Sequence, residues 1–299
     1  MPALTPNLRG ALLSLAAFCA YACADVSIKY LGQHLHAFQI VFFCSVATLP
    51  CILTQIFLTD RRASLRPALP GWTAVRMLIT VCNSAMVTYT FGHLPLAQCY
   101  AVFFTMPLMI TLFAWPLLAE PIDPLRGMIV LFGFCGVLIA LNPTQVTFQF
   151  AHLTAICGAT LGALNSLILR KIGNRESSGV ILLYPTLAQI AVMGVLLPAI
   201  WQPFTRTDLG IAALVGILST IGGLCVIAAY RLAPAIVVAP MQYSQIIWAS
   251  LLGVVIFHEV MERQTALGIA VIIAAGLTLL FQANRNPATK SAAETSNLP

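Results

Sequence analysis

Residues 93–123 read HLPLAQCYAVFFTMPLMITLFAWPLLAEPID, and residues 231–262 read RLAPAIVVAPMQYSQIIWASLLGVVIFHEVME. Each stretch begins with a proline before a long apolar segment and ends with an acidic residue. A shift of 139 positions superimposes Pro95 on Pro234 and Glu120 on Glu259. This internal repeat decides the fold, because it divides the chain into two similar halves.

The repeat extends beyond these two stretches. The same shift places Gly71 on Gly210, which lie at the start of earlier apolar segments. The pattern predicts a first repeat over residues 10–142 and a second over residues 151–282. We expect residues 283–299, which are polar, to form a disordered cytoplasmic tail.

The composition identifies the medium around the chain. Apolar residues make up 60% of the 299 positions and charged residues 8%, against roughly 45–50% and about 25% in soluble domains. Nine acidic and fifteen basic residues cannot cover a soluble protein of this size. A spanning helix needs about 20 mostly apolar residues, and ten segments qualify: 10–31, 36–58, 72–92, 96–118, 125–142, 151–171, 179–202, 208–230, 234–257 and 264–282.

The basic residues predict how these segments are oriented. With the N-terminus in the cytoplasm, twelve Lys and Arg residues fall on the cytoplasmic side and three on the outer side. Cytoplasmic loops are enriched in Lys and Arg. The bias therefore favours a cytoplasmic N-terminus, a cytoplasmic C-terminus and an even number of spans.

Five spans in each half have a mechanistic consequence. Because five is odd, the second half enters the membrane from the opposite side, and inverted repeats of this kind recur in secondary transporters. The predicted fold is an all-α membrane protein with ten transmembrane helices, arranged as two inverted five-helix repeats around a central cavity. Exchange of conformation between the halves would open the cavity to each side in turn.

The strongest family signal lies in two matching patterns, in which an apolar helix ends in an acidic residue before a glycine-bearing helix. Their residues are Leu94-Pro95-Leu96-Ala97 through Ala119-Glu120-Pro121, and Ala233-Pro234-Ala235 through His258-Glu259-Val260. Over residues 10–282 the chain resembles the drug/metabolite transporter superfamily, specifically its EamA-type members. It departs from them where the usual glycine before the acid is Ala119 in one half and His258 in the other.

The resemblance implies a function and a location. Similar proteins of the bacterial inner membrane export small metabolites, and one branch exports aromatic and neutral amino acids. We therefore expect an exporter of neutral or aromatic amino acids that acts as a monomer among membrane lipids. No cofactor, metal or nucleic acid is expected. Another neutral metabolite or a drug is the alternative cargo.

Polar groups inside the membrane are costly and are therefore functional candidates. Asp25 and Lys29 lie four residues apart on one helix face, acid first, which favours an ion pair. The two readings are a structural pair that lets Lys29 extend outward, and a gating or coupling element that contacts the cargo.

The candidate substrate-binding residues lie near the middle of four predicted spans. They are Asn83, Tyr100, Phe104, Asn165, Gln242, Tyr243, Gln245 and Trp248. Asn offers both a donor and an acceptor to a zwitterion, but it can equally bond a neighbouring helix. Two faces of the ninth span compete for the cavity. One carries Gln245 and Trp248, and the other, selected by symmetry with Phe104, carries Tyr243.

Two further pairs have predicted structural roles. Pro107 and Pro240 lie within spans, where proline bends a helix and frees carbonyl groups. Glu120 and Glu259 end spans on opposite sides of the membrane, and we expect each to be stabilised by the positive N-terminal end of the next helix. Proton coupling is the less favoured role for these two acids.

A membrane enzyme and a channel are the alternatives from other classes. The sequence contains no GxSxG, HExxH or GxxxxGK[ST] motif, which are typical of hydrolases, zinc peptidases and nucleotide-dependent pumps. It also contains no filter loop or charged ring of the kind that channels use. Both alternatives are therefore disfavoured, with the membrane enzyme as the main rival class and the channel as the second.

Overall fold

The computed structural model describes residues 6–59, 65–118, 124–141, 149–172, 175–233 and 238–285. In these ranges every regular element is helical, which confirms the predicted all-α class. The helices are α1 (Pro6–Leu31), α2 (Ala37–Thr59), α3 (Pro70–His93), α4 (Leu96–Phe103), α5 (Met106–Leu118), α6 (Pro124–Leu141), α7 (Phe150–Ile172), α8 (Ser178–Ile200), α9 (Arg206–Leu232), a 3₁₀ helix (Ala239–Tyr243), α10 (Ser244–Phe257) and α11 (Arg263–Arg285).

The helix lengths fit a membrane protein. Five helices of the described chain are long and apolar enough to span a bilayer, and they are α1, α2, α7, α8 and α9. Four more apolar segments of 10–17 residues lie in α4 with the start of α5, in α6, in the 3₁₀ helix with α10, and in α11. The exact number of ten crossings stays a prediction.

The predicted fourth span is broken in the middle. The predicted span 96–118 consists of two helices, because α4 ends at Phe103 and α5 begins at Met106, next to Pro107, where the sequence predicts a bend. Pro107 is the second residue of α5, and its missing N–H removes a hydrogen bond that would join the two helices. At the break, the Thr105 hydroxyl donates to the Val102 carbonyl at 2.6 Å.

The ninth span is irregular at the equivalent place in the other half. A 3₁₀ helix, of which Pro240 is the second residue, continues directly as α10. The Ser244 hydroxyl donates to the Met241 carbonyl at 2.6 Å. The shift of 139 relates Ser244 to Thr105 and Met241 to Val102, so both irregular segments carry the same hydroxyl-to-backbone hydrogen bond at equivalent positions.

The contacts between helices are consistent with two related halves. Helix α1 packs on α9, and its counterpart α7 packs on α3, the counterpart of α9. Helix α2 packs on its own counterpart α8, and α6 packs on α11. Helix α4 lies at the centre, with seven of its eight residues buried. The break in the fourth span therefore falls in the middle of the protein.

Polar contacts join the helix ends on the side where α1 ends and α9 begins. His34 contacts Asp208 at 3.0 Å, and the Gln39 side chain exchanges two hydrogen bonds with the backbone of Gln202, each 3.0 Å long. Asp208 also completes a capping box with Thr205 at the start of α9. These contacts connect the turn after α1 to the loop between α8 and α9.

One close helix contact lies on the same side. A Cβ atom placed on Gly32 would lie 2.7 Å from the Cα atom of Gly92, and one placed on Gly92 would lie 3.0 Å from the Gly32 carbonyl oxygen. Only glycine at both positions permits this approach. The backbones just after α1 and at the end of α3 therefore touch directly.

The last helix is longer than predicted. Helix α11 continues to Arg285, whereas the sequence pattern placed the end of the last span at 282. The helix thus extends three residues into the predicted tail, and the boundary of the tail stays a prediction. The remaining residues of that predicted tail, 286–299, lie outside the described residues.

Candidate functional site

A cavity of about 230 Å³ lies beside the break between α4 and α5. Its wall combines one acid, three amides and several aromatic rings. The lining residues are Asp25, Asn83, Val87, Phe91, Tyr100, Phe103, Phe104, Met106, Gly158, Gln242 and Gln245. They come from α1, α3, α4, α5, α7, the 3₁₀ helix and α10, so both halves of the chain contribute.

Asp25 of α1 is the only acid among the lining residues. Its Oδ2 atom accepts a hydrogen bond from the Tyr100 hydroxyl and a second from the Gln245 amide at 3.0 Å. The Gln245 amide also lies 3.1 Å from the Tyr100 hydroxyl. Both donors contact Oδ2, so neither of them uses Oδ1. The carboxylate is thus held in one orientation by α4 and α10.

Lys29 does not neutralise Asp25. The ion pair expected within α1 is absent, and the Lys29 ammonium instead lies 2.8 Å from the Glu259 carboxylate. The same ammonium donates to the carbonyls of Leu94 at 2.5 Å and Phe91 at 3.4 Å. The structural reading of the Asp25–Lys29 pair was therefore wrong, because more acceptors surround Lys29 at the ends of α3 and α10.

Glu259 joins the end of α10 to the start of α4. Its second carboxylate oxygen accepts the backbone N–H of Leu96, the first residue of α4, at 3.0 Å. An acid is stabilised at a helix N-terminus. The sequence predicted that Glu259 would contact the N-terminus of the following helix, whereas in the structure it contacts the N-terminus of α4. The equivalent acid Glu120 lies outside the described residues.

The backbone conformation of His258 allows Glu259 to reach the N–H of Leu96. Its φ angle is 55°, in the left-handed region that glycine normally occupies at a helix end. It terminates α10 and turns the chain so that Glu259 reaches back toward α4. The backbone therefore keeps the glycine-like conformation at the position where the sequence departs from the family pattern.

Asn83 of α3 contributes an unpaired acceptor to the cavity. Its Oδ1 atom is buried and has no hydrogen-bond partner among the described residues. Buried polar atoms are normally hydrogen-bonded, and each exception calls for an explanation.

The predicted binding residues fall into two groups. Asn83, Tyr100, Phe104, Gln242 and Gln245 line the cavity, and the structure brings them together from three regions of the sequence. The face of the ninth span that carries Gln245 therefore faces the cavity.

The other three predicted residues lie elsewhere. The Tyr243 ring packs on Phe104 with centroids 5.3 Å apart, and its hydroxyl occupies the space that a side chain at Gly276 would need. Asn165 accepts a weak hydrogen bond from Thr80 at 3.4 Å. The Trp248 indole N–H is buried without a described partner. None of the three is among the residues of the cavity wall.

Sequence reasoning missed one row of the wall. Val87 and Phe91 follow Asn83 at intervals of four, so the three lie on one face of α3. This spacing is visible in the sequence, but it became informative only when the structure showed which face of α3 points inward.

A second cavity, of about 180 Å³, lies on the other side of α3. Its lining is rich in hydroxyl groups and contains no charged residue: Ile28, Ile40, Val41, Cys44, Ser45, Thr48, Ser84, Thr88, Thr186, Gln189, Val215 and Ser219. The Gln189 amide donates to Ser84 and accepts from Ser45 at 3.1 Å. None of these polar residues was predicted as a site.

The first cavity provides features that a small-molecule site needs. It combines apolar and aromatic walls with a few convergent polar groups, as ligand sites usually do. No group of three potential metal ligands occurs in the part of the chain that the structure describes. The nine cysteines are all free thiols. The arrangement is therefore suited to binding a small organic molecule.

The family comparison agrees with this geometry. The model of the EamA-like transporter family matches the chain twice, over residues 8–142 and 149–281. This chain belongs to the EamA-like transporter family. Members of this family are transporters and not enzymes, so the alternative of a membrane enzyme is excluded.

Individual relatives cover nearly the whole chain. The S-adenosylmethionine uptake transporter of Rickettsia prowazekii (strain Madrid E) is 25% identical over 295 residues, covering 96% of this chain and 98% of that protein. The riboflavin transporter of Vibrio cholerae serotype O1 is 25% identical and covers 89% and 91%. The pseudopaline exporter of Pseudomonas aeruginosa is 24% identical and covers 90% and 95%.

A solved structure shares the fold. It superimposes with a TM-score of 0.64 at 17% identity, covering 92% of this chain and 98% of the other. At this identity the likeness concerns the arrangement of helices alone.

Proposed function

We propose that this family member is a secondary carrier that moves a small metabolite across the bacterial inner membrane by alternating access of two inverted five-helix repeats. The observation that carries the proposal is the cavity beside the interrupted fourth span and the 3₁₀ segment of the ninth, with walls from both halves. In many transporters, discontinuous helices form the substrate site near the membrane midplane at the interface of the repeats. We propose that both termini lie in the cytoplasm, on the basis of the Lys and Arg bias of the sequence.

The two irregular segments support the inverted arrangement. Thr105 and Ser244 make equivalent hydrogen bonds at equivalent positions, and the rings of Phe104 and Tyr243, also equivalent, pack on each other. Equivalent residues meet in this way when they lie close to an axis that exchanges the halves. Each half thus supplies one irregular helix to the same central region.

For the cargo we propose a neutral or aromatic amino acid, with export as the direction. The support is the size of the cavity, which is below the roughly 300–1,000 Å³ of drug-sized pockets, and its aromatic wall. The named relatives carry S-adenosylmethionine, riboflavin and pseudopaline, so another small metabolite is the alternative cargo.

The contacts of Lys29 support a role as an outer gate. The ion pair with Glu259 and the hydrogen bond to Leu94 join α1, α10 and the turn between α3 and α4. Both side chains are largely buried, with exposures of 9% and 17%, so water screens their attraction weakly. Opening the cavity on this side requires these contacts to break.

The transport proposal is tested with purified protein in liposomes. A panel of labelled amino acids, S-adenosylmethionine and riboflavin is offered, with empty liposomes as the control. We expect saturable flux of at least one compound, stimulated when unlabelled compound is present on the opposite side. Flux that rises linearly without saturation would indicate a channel, and no flux above empty liposomes would refute the carrier.

The gate is tested with Cys99, which is buried and lies 3.7 Å from the Leu94 carbonyl. In a variant where Cys99 is the only cysteine, Glu259→Gln removes the ion pair but keeps an acceptor for Leu96. We expect a membrane-impermeant thiol reagent added outside to label Cys99 several-fold faster. Asp208→Asn, which alters the His34 contact at the same end, is the control. Equal labelling rates of Cys99 in the single-cysteine parent, in Glu259→Gln and in Asp208→Asn would refute the proposed gate.

A further inference from the structure

The first cavity contains more hydrogen-bond acceptors than its own donors satisfy. The Asp25 carboxylate receives its two described hydrogen bonds on one oxygen, Oδ2, and the Oδ1 atom of Asn83 receives none. No lysine, arginine or histidine is among the residues described as lining the cavity. The wall therefore has a negative charge and an unpaired acceptor without a cation to balance them.

We infer that the cargo carries a protonated amine that binds the Asp25 carboxylate, attached to an apolar or aromatic body that packs on Phe91, Phe103 and Phe104. This inference rests on the proposed function, since it describes what the carrier binds. Because Lys29 is paired with Glu259, it leaves Asp25 without a cation.

The chemistry of an ammonium group matches the wall. It offers N–H donors and no acceptor, and its hydrogen bonds to a carboxylate are about twice as strong as those between neutral groups. Tyr100 and Gln245 hold Asp25 in place through Oδ2, so Oδ1 can receive the ammonium. An anionic cargo would instead meet a carboxylate with no compensating cation.

The aromatic rings add to this selectivity. Phe91 and Phe103 lie edge to face, with centroids 5.4 Å apart, and Tyr100 lies 5.6 Å from Phe104. Ring faces attract cations, and their surfaces pack well on other aromatic groups. A cavity of about 230 Å³ favours a compact body such as one aromatic ring on a short chain.

Binding to purified protein in detergent tests the charge requirement. Four compounds share a phenyl ring on a short chain: phenethylamine, phenylalanine, 2-phenylethanol and hydrocinnamate. We expect the two ammonium compounds to bind at least tenfold more tightly than the neutral alcohol, and hydrocinnamate to bind most weakly. If phenylalanine equals phenethylamine, the cargo class includes amino acids, and if it binds far more weakly, the class is simple amines. Both results support the inference.

The variant Asp25→Asn keeps the size of the side chain and an acceptor for Tyr100. We expect it to weaken ammonium binding by about 10- to 100-fold and to leave 2-phenylethanol unaffected. Glu262→Gln, which removes an exposed negative charge from the loop after α10, is the matched control with wild-type binding. The inference would be overturned if the ammonium compounds bound to Asp25→Asn as tightly as to wild type. It would also be overturned if none of the four compounds bound to the wild-type protein.

The two proposals fail in different ways. Charge-selective binding without saturable flux in liposomes would refute the carrier and leave the assignment of Asp25 intact. Saturable flux that ignores the charge of the cargo would leave the carrier intact and refute the role of Asp25.

Discussion

The two cavities on either side of α3 differ in how their polar groups are satisfied. Neighbouring residues of this helix face different cavities, since Asn83 lines the first and Ser84 the second. In the second cavity the Gln189 amide bridges Ser84 and Ser45 with hydrogen bonds. In the first, Asn83 Oδ1 has no described partner, and the charge of Asp25 is not balanced by a nearby cation.

This difference separates a packing cluster from a binding site. Hydrogen bonds between membrane helices are worth about 0.6 kcal/mol on average, so a satisfied amide and its hydroxyl partners mainly hold helices together. An unsatisfied buried acceptor costs free energy, and beside Asp25 it adds to the polar groups of the first cavity that the protein itself does not pair. The proposal therefore places helix packing in the second cavity and cargo binding in the first.

The largest expected difference in transport rate is between the variants Asp25→Ala and Gln189→Leu. Asp25→Ala should lower transport by about 100-fold, because the charge-assisted contact with cargo is lost. It should change the unfolding midpoint little, since Tyr100 and Gln245 keep their mutual hydrogen bond. Gln189→Leu should lower the free energy of unfolding by about 1 kcal/mol and leave cargo affinity unchanged.

Flux in liposomes and thermal unfolding in detergent measure both variants side by side. If Gln189→Leu abolished transport while its unfolding midpoint stayed unchanged, the second cavity would be part of the transport path. The assignment of the two cavities would then have to be abandoned.

Removing one donor to Asp25 should have a smaller effect. Tyr100→Phe keeps the ring against Phe104 but removes the hydroxyl that holds the carboxylate. We expect cargo to bind about tenfold more weakly, with the preference for ammonium compounds retained because Asp25 remains. Calorimetric titration of wild type and variant checks this, and loss of the charge preference in Tyr100→Phe would contradict it.

The smallest expected contrast is between two adjacent residues. Asn83→Ala should weaken cargo binding by about 3- to 10-fold and leave the protein equally or more stable, because a buried unpaired acceptor disappears. Ser84→Ala should leave binding unchanged and lower the free energy of unfolding by about 0.6 kcal/mol. The reverse result, with affinity lost only in Ser84→Ala, would exchange the roles of the two cavities.

Much of the fold could be predicted because it depends on composition and repetition. Apolar runs define membrane helices wherever they occur, and the repeat of Pro95 and Glu120 at Pro234 and Glu259 is independent of packing. The irregular segments of the fourth and ninth spans were less accessible. Proline at 107 and 240 indicated a bend, but whether a helix bends or ends depends on its neighbours.

The residue types of the candidate site could be predicted from the sequence, but the partners of its charged side chains could not. Asp25 and Lys29 are four apart, and helical spacing alone favours a pair between them. Glu259, 230 positions further along the chain, takes Lys29 instead. That choice depends on how α10 and α4 pack against α1, which no local pattern encodes. The same dependence decided which face of the ninth span lines the cavity.

The contact between Gly32 and Gly92 gives α1 a mechanical property. Because the backbones touch there without side chains, the contact can serve as a pivot about which α1 tilts. Asp25 lies seven residues from Gly32, about 10 Å along the helix at the usual rise of 1.5 Å per residue. A tilt of about 10° around this point would displace the carboxylate by about 2 Å, enough to detach it from Tyr100 and release whatever it holds.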